Sequence, residues 1–402
     1  MEEEASSSNA RVEVAYRHLD RLARLDESVS LSEKLEAVFQ ALREPFPFIA
    51  RVAVASYDQG LGTLRTFLAS SGPDRPLVRY ESRLDHAPSL AEILRRGRPR
   101  VINDLELLAR GPHEHTQAIR RQGYRASYTM PIRFQGGFWG FVFFNSYEPG
   151  PFTEEVLAAL DPFGHLVAAL TVAELLSVRV LAAAVRTAHA MVHLRDPETG
   201  AHLNRMAEYA RIIAGDLAHR GRVDFDDETV ERLHLFAPLH DLGKIGIPDR
   251  LLLKAGRLST EEREEMKTHS AKGLEMIDRI MANFGLEHLP GAEMLRNVAA
   301  AHHEALDGSG YPHGLKGREI PIEARIVSVA DVFDALTSPR PYKESWSNDQ
   351  AFAHLQRLAA DKLDADCVEA LVRHRPRIEE LQARFRDVHT ESPGSSPPGG
   401  HP

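Results

Sequence analysis

The periodicity of apolar residues changes once along this chain, and that change constrains the fold more than any other feature. From about residue 28 to 150 the pattern is mixed, with strand-like stretches among helical ones, whereas beyond residue 195 the strand signals disappear and only helical spacing is left. Alternation sets side chains on the two faces of a sheet, and spacings of three and four line one face of a helix. The 402 residues exceed one domain of about 150. Two folded units are therefore expected: an α+β domain with an antiparallel sheet, then an all-α helical domain.

In the first half, Ile49 to Tyr57 alternates like a strand, and further strands fit Leu64 to Ser70 and Arg100 to Asn103. Ser127 to Phe134 and Phe138 to Asn145 read as a hairpin with a glycine turn at Gly136-Gly137. Helical spacing covers Leu31 to Leu42, and helices at about 88–96 and 114–122 interrupt the strands. This order of elements resembles a GAF sensory domain, expected over 28–162 behind a polar segment and first helix at 1–27. The half contains no cysteine, so thioether attachment of a bilin within it is excluded. Haem on a histidine, a cyclic nucleotide, a small metabolite and no ligand at all stay open.

Asp161-Pro162 is expected to start a helix. From Phe163 to Leu194 apolar residues recur at Leu166, Leu170, Ala173, Leu176, Val180, Leu181, Ala184 and Ala188. This connector helix (163–194) either packs on its own domain or forms the seam of a homodimer. Its richest apolar run, Phe163 to Leu176, is interrupted by His165, Thr171 and Glu174, so no membrane span is expected. The acidic, polar start lacks a secretory core, and a cytoplasmic chain is expected. Residues 386–402 are rich in Pro, Gly and Ser and should form a disordered tail. A formal net charge of −9 argues against a general nucleic-acid binder, which needs a basic face.

The 20 histidines are unevenly placed: five (18, 86, 113, 115 and 165) precede residue 170 and fifteen follow His189 or include it. Cys367 is the one cysteine, so a disulfide or a cysteine zinc site is excluded. A histidine–carboxylate metal site is left. Glu198-x-x-x-His202 would present both side chains on one helical face. His240-Asp241-x-x-Lys244 ends an apolar helix (Val230 to Leu239) just before Gly243, and His302-His303 closes the run Val298-Ala-Ala-Ala. Ser259 to Glu262 reads as a capping box before a helix from Arg263 to Ile280, which carries His269. Asp331 interrupts an apolar segment, where a lone buried carboxylate needs a partner or a cation. Each feature alone is weak. Five histidines and three acids together favour metal, and imidazole with carboxylate suits iron, manganese or zinc.

The segment 195–385 resembles an HD-GYP domain of the HD phosphohydrolase superfamily. It carries "HDLGKIGIPD" (240–249), "MKTH" (266–269), "HHEALDGSGYPHGLKGREIP" (302–321) and "ARIVSVADVFDALTSPRPYK" (324–343) in the family's order. The resemblance implies hydrolysis of cyclic di-GMP to pGpG, and onward to GMP, at two or three divalent ions, iron or manganese. It implies metal-ligand positions at His202, His240, Asp241, His269, His302, His303 and Asp331, with Glu198 the extra carboxylate of a three-metal centre. Lys244 then meets the scissile phosphate as a catalytic residue beside Asp241, Arg340 and Lys343 hold the ligand's phosphates, and Tyr311 belongs to the signature loop. That loop is implied to contact cyclic di-GMP synthases as well. Leu363-Asp-Ala365 and Ala305-Leu306 depart from the family's usual residues, away from every ligand position. Another cyclic dinucleotide, such as 3′,3′-cyclic GMP-AMP, and a non-catalytic receptor role stay open. Because the substrate is a dianion and the protein acidic, the receiving positive charge must be local.

Overall fold

A computed structural model of the protein describes residues 20–385, apart from 28, 60, 71–80, 109–118, 194–199, 255, 287–289, 339–344 and 360. The expected helix at 114–122 therefore lies largely outside the described residues, as do Glu198, Arg340, Lys343 and the 386–402 tail. The chain forms two compact units, residues 1–178 and 179–402.

The first unit is built on a six-stranded antiparallel sheet. Its strands are β1 (Ile49–Asp58), β2 (Thr63–Ser70), β3 (Glu81–Arg83), β4 (Arg100–Ile102), β5 (Ala126–Phe134) and β6 (Gly137–Ser146), in the order β3-β2-β1-β6-β5-β4. The short β3 carried no alternation long enough to be read from sequence. The β5–β6 turn sits one residue earlier than expected, at Gln135-Gly136, where both residues have positive φ. Two consecutive left-handed residues give the hairpin turn whose twist matches the strands. Gly137 is thereby freed to open β6.

One sheet face packs against α1 (Leu31–Arg43) and α3 (Glu154–His193). A capping box between Ser30 and Glu33 starts α1, and its spacing buries Leu35, Val38, Phe39 and Leu42. Helix α2 (Pro88–Arg96) covers part of the opposite face through Ala87, Leu90 and Ile93. Helix α3 does not begin at Asp161-Pro162. Thr153 caps it by accepting from Val156 N, and Pro162 lies inside the helix on an exposed position. By length and composition Glu154–Val180 could cross a membrane. Its hydropathy has a local cause: Leu160, Val167, Val172 and Leu175 fill the sheet's core, while alanines occupy exposed positions 158, 159, 169 and 173.

Within the second unit every described helix or turn belongs to an all-α domain. Its helices are α4 (Gly200–His219), α5 (Asp227–Phe236), α6 (Asp249–Leu252), α7 (Thr260–Lys267), α8 (His269–Phe284), α9 (Ala292–Ala301), α10 (Ile322–Thr337), α11 (Asn348–Leu358), α12 (Ala365–Arg373) and α13 (Arg375–Arg384). Helix α4 packs against α5, α10 and α12, burying Met206, Tyr209, Ile213 and Leu217. The helix expected from Arg263 to Ile280 is two: the capping box at Ser259 and Glu262 starts α7, and Thr268 separates it from α8. The break puts His269 in the first turn of α8 rather than in a helix middle.

Candidate metal centre

Five elements deliver the clustered side chains. Helix α5 continues as a tight turn, Ala237–Leu239, and His240 caps it; Asp241 then precedes a second tight turn, Leu242–Gly246. Glycine is required at 243, because a Cβ there would sit 1.8 Å from the His269 carbonyl oxygen. That close approach seats the turn on the start of α8. His302 caps α9 after its alanine run, His202 lies on α4 and Asp331 on α10.

The ligand atoms converge as two groups. Asp241, His269, His302 and His303 offer atoms within 4.8 Å of one another, and so do His202, His240 and Asp331. Asp241 stands between them: its Oδ2 is 3.1 Å from His240 Nε2, and its Oδ1 is 3.3 Å from His269 Nε2 and 3.8 Å from His302 Nε2. Asp331 Oδ1 lies 3.9 Å from His240 Nε2. Adjacent ligands bound at about 2.1 Å to one cation stand about 3 Å apart or slightly more, so these separations suit shared ions.

The tautomers point the same way. His240, His269 and His302 place Nδ1 at 2.8, 2.8 and 2.9 Å from the carbonyls of Ala237, Met266 and Val298. A carbonyl only accepts, so each Nδ1 carries the proton and each Nε2 presents a lone pair. Nε2 of His269 and His302 and Oδ1 of Asp241 are buried and make no hydrogen bond. Burial lowers the proton affinity of His302, of His269 and of His303, the last to about 3. All three are neutral near pH 7. Burial pushes Asp241 the other way, but the Lys244 ammonium (Nζ 2.8 Å from Oδ2) outweighs it, and Asp241 is held well below the usual carboxylate range. Neutral imidazole lone pairs facing an ionised carboxylate repel unless a cation lies between them. The donor set fits divalent metal.

Tyr311 flanks the group, its ring 4.7 Å from that of His303 at 32°. Its loop is held by Glu304, which sequence reading missed. Buried at the end of the His302-His303 pair, Glu304 accepts from His313 N at 2.7 Å and Leu315 N at 3.0 Å. A Cβ at Gly310 would fall 2.3 Å from Ala305 N, so only glycine lets the loop fold back this tightly.

Asp334 was missed as well. It accepts from His202 Nδ1 at 2.7 Å and from Arg205 Nε at 2.6 Å, and Ser338 Oγ donates to it at 2.9 Å. Burial raises its proton affinity, but the hydrogen bonds from His202 and Arg205 win and hold it at about 2. A carboxylate that accepts from Nδ1 fixes the ring and turns Nε2 toward the centre. The available signal was Asp331-x-x-Asp334, a second acid one turn along an apolar helix.

Residues 186–367 match the model of the HD domain family, and residues 30–170 match that of the GAF domain family. The chain carries a GAF domain and an HD domain. It is 43% identical over 194 residues to the cyclic di-GMP phosphodiesterase response regulator RpfG of Xanthomonas campestris, covering 48% of each chain. It is 39% identical over 200 residues to a cyclic di-GMP phosphodiesterase of Thermotoga maritima, covering 50% of this chain and 51% of that one. It is also 36% identical over 197 residues to 3′3′-cGAMP-specific phosphodiesterase 2 of Vibrio cholerae, covering 49% of this chain and 35% of that one. The chain spans about half the length of the curated relatives it matches, or less. The HD domain and its clustered donors together imply dependence on divalent metal.

Proposed function

We propose that the HD domain hydrolyses cyclic di-GMP to linear pGpG, and pGpG onward to GMP, and that the GAF domain regulates it. The observation that carries this reading is the buried meeting of imidazole lone pairs with Asp241. The names of the relatives and the "HHEALDGSGYPHG" segment (302–314) support the choice of substrate.

Bound divalent ions, iron or manganese, would acidify a water and neutralise charge on the phosphoryl oxygens. His240, Asp241, Asp331 and His202 would hold one side of the centre and His269, His302 and His303 the other, with Asp241 shared; Glu198 would add a third ion. Lys244 keeps its ammonium beside Asp241, where it can stabilise charge developing on the scissile phosphate. Tyr311, partly exposed beside the cluster, would offer its ring to a guanine. Arg340 and Lys343 would grip the phosphates, bringing the local positive charge that an acidic protein needs for a dianion. A homodimer through α3 would use its exposed alanines, which permit close helix approach. The Gly308–Gly314 loop would be the surface for a cyclic di-GMP synthase.

A second reading, hydrolysis of 3′,3′-cyclic GMP-AMP, has one observation in its favour, the similarity to the Vibrio cholerae enzyme. Anaerobic purification, metal quantification and hydrolysis assays with both dinucleotides test the two together. Cyclic di-GMP should be cut faster; a metal-loaded protein that cuts neither overturns both. His240→Ala with Asp241→Ala should abolish turnover, and Lys244→Ala should lower kcat by about 10²-fold or more.

A further inference from the structure

Arg205 engages every nitrogen of its guanidinium inside the HD domain, and a counter-charge accounts for only part of that bonding. It is 4% exposed on α4, three residues after His202 and so on the same helical face. Nε donates to Asp334 Oδ1 at 2.6 Å and Nη2 donates to Oδ2 at 3.0 Å. This two-point grip fixes the plane of the carboxylate. Nη2 also donates to Ser338 Oγ at 2.7 Å, and Ser338, which ends α10, donates in turn to Asp334 Oδ2. Nη1 reaches elsewhere: it donates at 2.7 Å to the carbonyl of Phe385, just past the end of α13.

Asp334 Oδ2 is also the atom that accepts from His202 Nδ1. One line of contacts therefore runs from the Phe385 carbonyl through Arg205 and Asp334 to the His202 ring, whose ligand atom gathers with those of His240 and Asp331. Pairing with Asp334 needs two of the three guanidinium nitrogens. The Nη1 bond adds nothing to that neutralisation; it holds the guanidinium from its far side. The acceptor suits a cation, because carbonyls at a helix C-terminus carry the negative end of the backbone dipole. Helix α13 is itself held firmly: it packs on α4 and buries Ile378 and Leu381. A planar fork gripped at both ends transmits orientation, whereas an ammonium in its place would supply charge without a plane.

We propose, building on the metal centre described above, that Arg205 is a positioning residue of that centre, and that the end of α13, docked on its guanidinium, sets the orientation of the ligand His202. A helix that carries none of the ligand candidates thereby tunes one ion of the group.

Cobalt(II) is the probe, titrated into the metal-stripped full-length protein, because its visible absorption bands report the coordination of each bound ion without any turnover. Arg205→Met should weaken one class of bound cobalt by roughly tenfold or more and alter its bands, leaving the other class near wild type. Arg205→Lys should behave like Arg205→Met, since charge without the fork does not hold the carboxylate plane. Phe385→Pro should shift the same class in the same direction by a smaller factor. Proline removes the Phe385 N–H that closes the last turn onto Leu381, and so displaces the carbonyl. This variant decides the matter even if Arg205→Met does not fold. Arg205→Lys with wild-type affinity and bands overturns the positioning role and reduces Arg205 to a counter-charge. Wild-type cobalt binding by Phe385→Pro overturns the part given to α13. Equal weakening of every class of cobalt in all three variants would mark a general loss of folding stability and overturn the proposal too. A wild-type protein that binds no cobalt would instead remove the metal centre itself, a failure distinct from the others.

Discussion

The two domains close their centres by opposite means. In the GAF domain the middle of the main core is Val38, Phe39, Leu42, Ile49 and Phe144, each fully buried. Removing that apolar surface from water is itself the driving force, and nothing further is needed. In the HD domain the corresponding depth is occupied by His240, His302, His269 and Asp334, at 0%, 1%, 2% and 0% exposure. Burying such groups costs free energy unless each finds a partner. Nδ1 atoms find carbonyls, Asp334 finds His202 and Arg205, and the convergent Nε2 atoms face Asp241. The contrast shows where a ligand is part of the fold and where it is not.

Chelation should break the comparison most visibly. Stripping divalent metal from the full-length protein removes a ligand that binds only the folded HD domain. At a free metal concentration about 1,000 times its dissociation constant, that linkage is worth about 4 kcal/mol. For a unit of this size the melting transition should drop by roughly 10 °C. Calorimetry should show the HD transition moving and the GAF transition staying in place. Equal movement of both would mean that the buried histidines are closed by something other than a cation.

Asp334→Asn sharpens the same point at a single atom. The amide removes the anion that orders His202 Nδ1–H while keeping the shape of the side chain. Metal affinity should fall by roughly 10- to 100-fold, read by competition with a chelator, while far-ultraviolet circular dichroism of the metal-loaded protein stays unchanged. Asp331→Asn should also weaken binding, through loss of a ligand. The two are separable, because only at Asp334 does the loss act through the orientation of His202. An Asp334→Asn protein with wild-type metal affinity would reduce Asp334 to a buried ion-pair partner of Arg205.

How much of this was legible in the sequence also divides by domain. Strands β1, β2, β5 and β6 could be read because each runs for eight residues or more and is rich in apolar, β-branched and aromatic residues. Strand β3, three residues long, and the turn at Gln135-Gly136 could not, since the turn depends on backbone angles that Gln135 rarely adopts. Proline at 162 misled because proline is common at a helix start, whereas Thr153, the cap that starts α3, was overlooked. In the HD domain the described ligand candidates His202, His240, Asp241, His269, His302, His303 and Asp331, widely separated in sequence, gather into two groups. Asp334 and Glu304 were passed over for one reason: each works on a neighbour, His202 or the backbone of 313–315, and such a role appears only when distant segments meet.

The smallest expected effect is in the pH dependence of the two melting transitions, and its sign differs between them. In the metal-free HD domain His303 falls from an ordinary 6.5 to about 3, and His269 and His302 are lowered with it, by burial. The unfolded chain then binds more protons than the folded one, so this stability is present above pH 6.5 and is lost as the pH falls toward 3. In the GAF domain Tyr128 is raised above its usual 10.0, by burial and then by its hydrogen bond to Asp161. Its folded state keeps a proton that the unfolded chain releases, so that stability is present below pH 10 and is lost as the pH rises above it. Melting the metal-stripped protein from pH 5 to 11 should therefore lower the HD transition at the acid end and the GAF transition at the alkaline end. Tyr128→Phe should remove the steeper alkaline loss of the GAF transition and leave the HD transition's acid response unchanged. Restoring metal should raise the HD transition but leave its acid loss at least as steep, because a bound cation also keeps the histidines unprotonated in the folded state while the unfolded chain still takes up protons. A metal-stripped HD transition that does not fall between pH 6.5 and 5 would mean that the clustered histidines do not set the pH response.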